Sequence, residues 1–240
     1  MDTSKWRNFT KYELLIVIAM IILLFVTISS LNLYFMISGE QQLIAFKLFV
    51  VSITMLLLSF FGLYLYNEVA QPYIAYEYTK IQNLGKATFI VVGAWLFNLL
   101  LYKIGIYDVS IASTISPQDM LNILGLISSG VYVILIALLE NLIFVTSIPV
   151  LVLTKIFHTD PDHATNTQIL IASLIGGVLA ALYHLSVKPE GALINTIIYF
   201  TSWAYSTLIL RSSVLADLAH SLGNALGLLY STINYTLYLT

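Results

Sequence analysis

The chain has 240 residues, of which 59% are apolar and only 9% charged, with a formal net charge of −2. Globular domains carry about 25% charged residues, so this composition excludes a soluble surface, and without a basic cluster it offers nothing for a nucleic-acid partner. The absence of cysteine excludes disulfides, thiolate metal sites and a cysteine nucleophile.

The N-terminus places Lys5, Arg7 and Lys11 before an apolar run that begins near Leu14. That run is too long for a cleaved leader, and its basic flank predicts a retained first span with a cytoplasmic N-terminus. A span needs about 20 mainly apolar residues. The first two are expected at 13–37 and 43–66, joined by a polar turn from Ser38 to Gln42. The wetter stretch 67–86, with Tyr73, Tyr76 and Tyr78, reads as interfacial. A third span is expected at 87–104. The loop 105–120 has no basic residue, which assigns it to the outside.

The stretch 121–157 is anomalous. One straight helix of that length would run about 55 Å, against a hydrocarbon thickness of about 30 Å. It is expected to be tilted and bent, with Pro149 as the candidate bend, or to protrude into the cytoplasm; a break near Glu140 is the alternative. A polar loop, 158–168, then leads to spans at 169–187, 191–210 and 213–238. The fold class is therefore an all-α polytopic transmembrane bundle of about seven spans. Residues 1–240 form a single integral membrane domain on this reading, with no internal repeat and no soluble domain.

Ionisable groups in hydrocarbon cost about 2.5–3.5 kcal/mol on the mildest scale. Glu140, His184 and His220 all fall in expected spans. His220 and Asn224 are four apart and project from nearly the same helix face, and Asp217 extends that stripe. Such a stripe can present an imidazole and an amide to a developing oxyanion; equally, it can serve as interhelical polar glue. A lone His184 near a span end is by default an interfacial residue. A bilayer Glu140 is by default functional, and suits a general base acting on water. The His-Glu-x-x-His zinc signature is absent, as are a Gly-x-Ser-x-Gly elbow and paired aspartyl motifs.

The order of these residues resembles the CAAX-protease and bacteriocin-processing family, also called Abi or CPBP, of intramembrane glutamate proteases. That family has three motifs: Glu-Glu-x-x-x-Arg, Phe-x-x-x-His and His-x-x-x-Asn. The third is complete here in His220 and Asn224, approached through Leu210-Arg211-Ser212-Ser213. The second has its histidine, His184, with Ala180 at the Phe position. In the first, Glu140 and Phe144 match, whereas Asn141 and Val145 stand at the second Glu and the Arg. The likeness covers about 120–230, the expected catalytic core.

The resemblance implies an intramembrane endopeptidase. Glu140 activates water with help from His184, and His220 and Asn224 hold the oxyanion. The substrate would be a membrane-embedded or lipidated peptide. No cofactor is expected to be obligatory; zinc held by Glu140, His184 and His220 is the open alternative. Lys47 or Arg211 is expected to supply the positive charge lost with the family arginine, and Asp217 to orient His220. Two rivals remain. One is a catalytically inactive relative acting as a membrane binding, immunity or regulatory protein; the other is a proton or solute pathway through the same ionisable groups.

Overall fold

The computed structural model describes residues 11–74, 81–106, 134, 136–185 and 191–238. All regular structure among them is helical. Two compact units are formed, Met1–Tyr64 and Leu65–Thr240.

In the first unit, α1 (Lys11–Met36) and α2 (Glu40–Leu65) follow from two long apolar runs. Between them Gly39 takes φ +73°, a left-handed conformation that costs glycine nothing. Gln42 Nε2 donates to the carbonyl of Tyr34 at 3.1 Å, and the rings of Tyr34 and Phe46 lie 5.6 Å apart. Thr27, Ser30, Ser52, Thr54 and Ser59 bond back to their own helices, Thr27 to Leu23 O and Ser59 to Met55 O. Their hydroxyls are thereby satisfied without water.

In the second unit a π-helical turn, Tyr66–Ala70, precedes α3 (Leu84–Lys103). Next comes a helix we call α4, described from 136 to 156. Then follow α5 (Asn166–His184), α6 (Gly191–Leu210) and α7 (Val214–Tyr238). Among the described residues, six helices are long and apolar enough to cross a membrane, the organisation of a multi-pass membrane protein. The seventh expected span coincides with α7, which carries Asp217, His220 and Asn224 in its first three turns and is not among the six.

Helix α4 is the centre of its unit: 83% of its apolar window is buried, against 56% for α6 and 17% for α3. It is not broken at Glu140, the helix running on from 136 to 156. Two π-helical stretches, Asn141–Ser147 and Val152–Ile156, flank a short α-helical piece, Ile148–Leu151, that contains Pro149. Proline lacks an amide hydrogen and crowds the carbonyl four residues earlier. The wider register is one way a helix absorbs such a residue. Ile148 N–H accordingly reaches back to Ile143 O. Most of the long stretch before 134 lies outside the described residues.

Helix α5 is held close on two sides. A Cβ at Gly176 would overlap the carbonyl oxygen of Phe144 on α4, and a Cβ at Gly177 would lie 2.8 Å from Ile197 O on α6. Small residues at these points let backbones approach, the usual way helices associate in lipid. Helix α5 also starts earlier than the polar composition of 158–168 suggests. Thr165 caps it through a capping box with Gln168, each side chain accepting the other residue's amide.

Two corners use left-handed residues. Helix α6 ends with Arg211 at φ 57° and Ser212 N–H bonded to Thr207 O at 3.3 Å, a Schellman closure. His158, at φ 50°, turns the chain after α4. Arg211 reaches from its corner to Asp162 in the loop before α5, with Nη2 and Nε both 3.3 Å from Oδ1. Burial pushes the guanidinium below its ordinary value, and the Asp162 carboxylate opposes that shift.

Candidate functional site

Glu140 is the last α-helical residue before the first π stretch of α4, and it is 5% exposed. Three helices converge on it. His184, the last residue of α5, brings Nε2 to 3.3 Å from Glu140 Oε1. His220, in the second turn of α7, brings Nε2 to 3.5 Å from Glu140 Oε2. Both histidines are buried, at 7% and 5% exposure. One carboxylate is thus gripped by two imidazoles, one on each oxygen, within an apolar bundle.

The far nitrogens are also engaged. His184 Nδ1 lies 2.7 Å from the carbonyl oxygen of Ala180. A carbonyl only accepts, so this nitrogen donates. His220 Nδ1 lies 2.9 Å from Asn141 Oδ1, and Asn141 Nδ2 donates to Asp217 Oδ1 at 2.8 Å. Asn141 is fully buried and Asp217 is 3% exposed. An unbroken line of polar contacts therefore runs from Asp217 through Asn141, His220 and Glu140 to His184. Buried polar groups are costly unless bonded, and a connected network spreads that compensation.

Aromatic rings of α6 enclose the pair of imidazoles. Phe200 lies 5.9 Å from the His184 ring and 5.1 Å from the His220 ring, in the gap between them. Trp203 stacks on His220 at 4.4 Å and 26°, and Tyr199 stacks on Trp203 at 5.5 Å. Phe144 closes the α4 side against Tyr183 and Phe200. These rings leave the two imidazoles little exposed surface.

The structure thus brings Glu140, His184 and His220 together and joins Asp217 to them through Asn141. Asn224 is half-buried one turn beyond His220 on α7. Arg211 pairs with Asp162 at the α6–α7 corner. The Lys47 side chain lies outside the described residues. His184, which a reading of that histidine alone would put at the membrane interface, is a core residue whose ring sits against Tyr183 and Phe200.

Glu140, His184 and His220 are the residues that zinc would require. The two imidazole nitrogens address different carboxylate oxygens, and among the described residues no group of three or more His, Asp or Glu has metal-holding geometry. No step is therefore routed through a metal. Asn141, marked in the sequence only as the residue at the family's second-glutamate position, completes the site together with Phe200 and Trp203, which were not singled out. Asn141 had a signal, as a carboxamide next to a membrane glutamate. The two aromatics had none, since such residues at helical spacing are ordinary core.

No family model, no curated protein and no solved structure matches this chain.

Proposed function

We propose that this protein is an intramembrane endopeptidase similar to the CAAX-protease and bacteriocin-processing family, acting on a membrane-embedded or lipidated peptide, with its N-terminus in the cytoplasm. The observation that carries the reading is the Glu140 carboxylate held between the Nε2 atoms of two histidines from two other helices.

A water reaching Glu140 would give up a proton to the carboxylate as its oxygen bonds to the peptide carbonyl carbon. His184, on Oε1, is placed to share that proton. His220, once its Nε2 has taken up a proton, would donate it to the oxyanion together with Asn224 one turn further on. Collapse of the tetrahedral intermediate breaks the C–N bond, and the proton held at Glu140 passes to the leaving amine. The products are a carboxylic acid and an amine, the second water proton passing from the acid to the amine to leave a carboxylate and an ammonium, and the site returns to its starting state.

A second reading is a binding or regulatory protein without turnover. It is supported by Asn141, which stands where the family has its second glutamate, and by the aromatic enclosure of the site.

The test uses the full chain in lipid nanodiscs with two substrate sets, prenylated peptides and unmodified transmembrane peptides, and reads cleavage by mass spectrometry. Removing a general base costs about 10²–10⁴-fold, so Glu140→Gln should abolish cleavage at any practical time. Cleavage by Glu140→Gln at the wild-type rate refutes the peptidase reading. Stable peptide capture that Glu140→Gln leaves intact, with no cleavage by either protein, establishes the binder.

A further inference from the structure

We propose that Asp217 and Asn141 are positioning residues that dictate which ring nitrogen of His220 carries hydrogen, so that Nε2 is the nitrogen left to exchange a proton with Glu140. Asp217 Oδ1 accepts from Asn141 Nδ2 at 2.8 Å, so the NH₂ of Asn141 is turned toward Asp217. The other end of the same planar amide is then a carbonyl, 2.9 Å from His220 Nδ1. A carbonyl demands a donor, so Nδ1 bears the hydrogen. In the neutral ring Nε2 is consequently bare, and it faces Glu140 Oε2 at 3.5 Å. An amide that turned over would demand the reverse, a bare Nδ1 and a hydrogen on Nε2.

His184 reaches the same state by a different device. Its Nδ1 donates to Ala180 O on its own helix, leaving Nε2 toward Glu140 Oε1. The two imidazoles therefore present the same nitrogen to one carboxylate, one set by backbone and the other by a side-chain relay. Neutral histidine in water prefers the opposite tautomer, so both settings are imposed by the fold. Each Nε2–Glu140 contact then needs a proton from outside the ring's neutral form, and the glutamate and two imidazoles share a small pool of protons.

The proposal uses the hydrolase reading only to say what the proton exchange serves; the relay is tested without turnover. Full-length protein labelled with ¹⁵N-histidine is placed in nanodiscs, and its imidazole nitrogens are read by NMR. The four histidines are assigned with single His→Gln variants. In the wild type, Nδ1 of both His184 and His220 should be hydrogen-bearing. Asp217→Asn removes the group that orders the amide, because an asparagine side chain can face Asn141 with either end. A bare, pyridine-type Nδ1 should then appear on His220, while His184, locked by Ala180, keeps its signature and certifies an intact fold. A bare Nδ1 on His220 in the wild type overturns the relay, and this measurement needs no variant. An unchanged His220 in Asp217→Asn overturns it too, as does a simultaneous change at His184. Failure of the Glu140→Gln cleavage test alone would leave the relay standing and remove the peptidase.

Discussion

Gly176→Ala is the sharpest test of how the site is held together. A methyl there would overlap the Phe144 carbonyl oxygen and sit 3.1 Å from Pro149 Cγ. The first obstacle is backbone inside a buried π-helical stretch, and so has no rotamer into which to retreat. Overpacking costs about 1–3 kcal/mol, and alanine's helix propensity returns up to about 1 kcal/mol, which leaves a net loss near 2 kcal/mol if the upper end applies. That is about a 30-fold change in the folded-to-unfolded ratio, or about 4–8 °C in melting temperature for a chain of this size. Gly223→Ala on α7 is the matched control, since its added carbon meets only Trp95 Cζ2, at an ordinary 3.7 Å. It should melt at or slightly above the wild type. Thermal unfolding of the three proteins in the same detergent, followed by circular dichroism, decides the matter. A Gly176→Ala protein as stable as Gly223→Ala would mean that α5 does not press on α4 as described.

Phe200 is 2% exposed and touches both imidazoles. Phe200→Ala should cost about 3–5 kcal/mol and move both histidine signals in the NMR experiment, whereas a change at one histidine only would show that the ring does not brace the pair. In the loop before α5, the hydrogen bond from His163, with smaller backbone contributions, holds the Asp160 carboxyl below its ordinary value of 3.8. A carboxyl lowered on folding stabilises above its unfolded value, and that gain is lost as pH falls through the folded one. Asp160→Asn should therefore lower the melting temperature at neutral pH but make no difference in strong acid; a gap that persists there refutes the assignment. If a carboxylate is the base, incubation with EDTA or 1,10-phenanthroline should leave peptide cleavage unchanged, and loss restored by zinc would transfer that role to a metal.

Much of this molecule was legible because lipid imposes simple rules. Apolar runs of about 20 residues announce helices, and α1, α2, α3 and α6 lie within a few residues of their expected bounds. Helix α5 begins at Asn166 rather than 169 because the Thr165–Gln168 capping box is made of polar residues that resemble loop. Glu140, His184 and His220 stood out because an ionisable group in a span is expensive. Asn141 did not, since its role depends on Asp217, 76 positions away, and sequence gives no hint of that pairing. Arg211 was expected near the glutamate on charge alone. Its left-handed backbone at the α6 corner aims it at the loop carboxylate of Asp162.

The least legible property is depth. A straight-helix reading puts Glu140 in mid-span, His184 near one membrane face and His220 closer to the other, which would keep them apart. The contacts show how α4 and α5 reconcile two of these. Gly176 abuts Phe144 and Pro149, while Tyr183 and His184 meet Phe144 and Glu140, so the helices run antiparallel. From that close point His184 is eight residues on, about 12 Å, and Glu140 is four residues back, about 6 Å. Cβ atoms lean toward a helix's N-terminus. On α5 that lean carries His184 back toward Ala180, and on α4 it carries Glu140 away from the close point toward His184, so the two side chains approach from opposite directions along the same line. The glycine contact and the Glu140–His184 contact are therefore one construction, and a residue with no polar atom in its side chain sets the distance at which the carboxylate meets its imidazole.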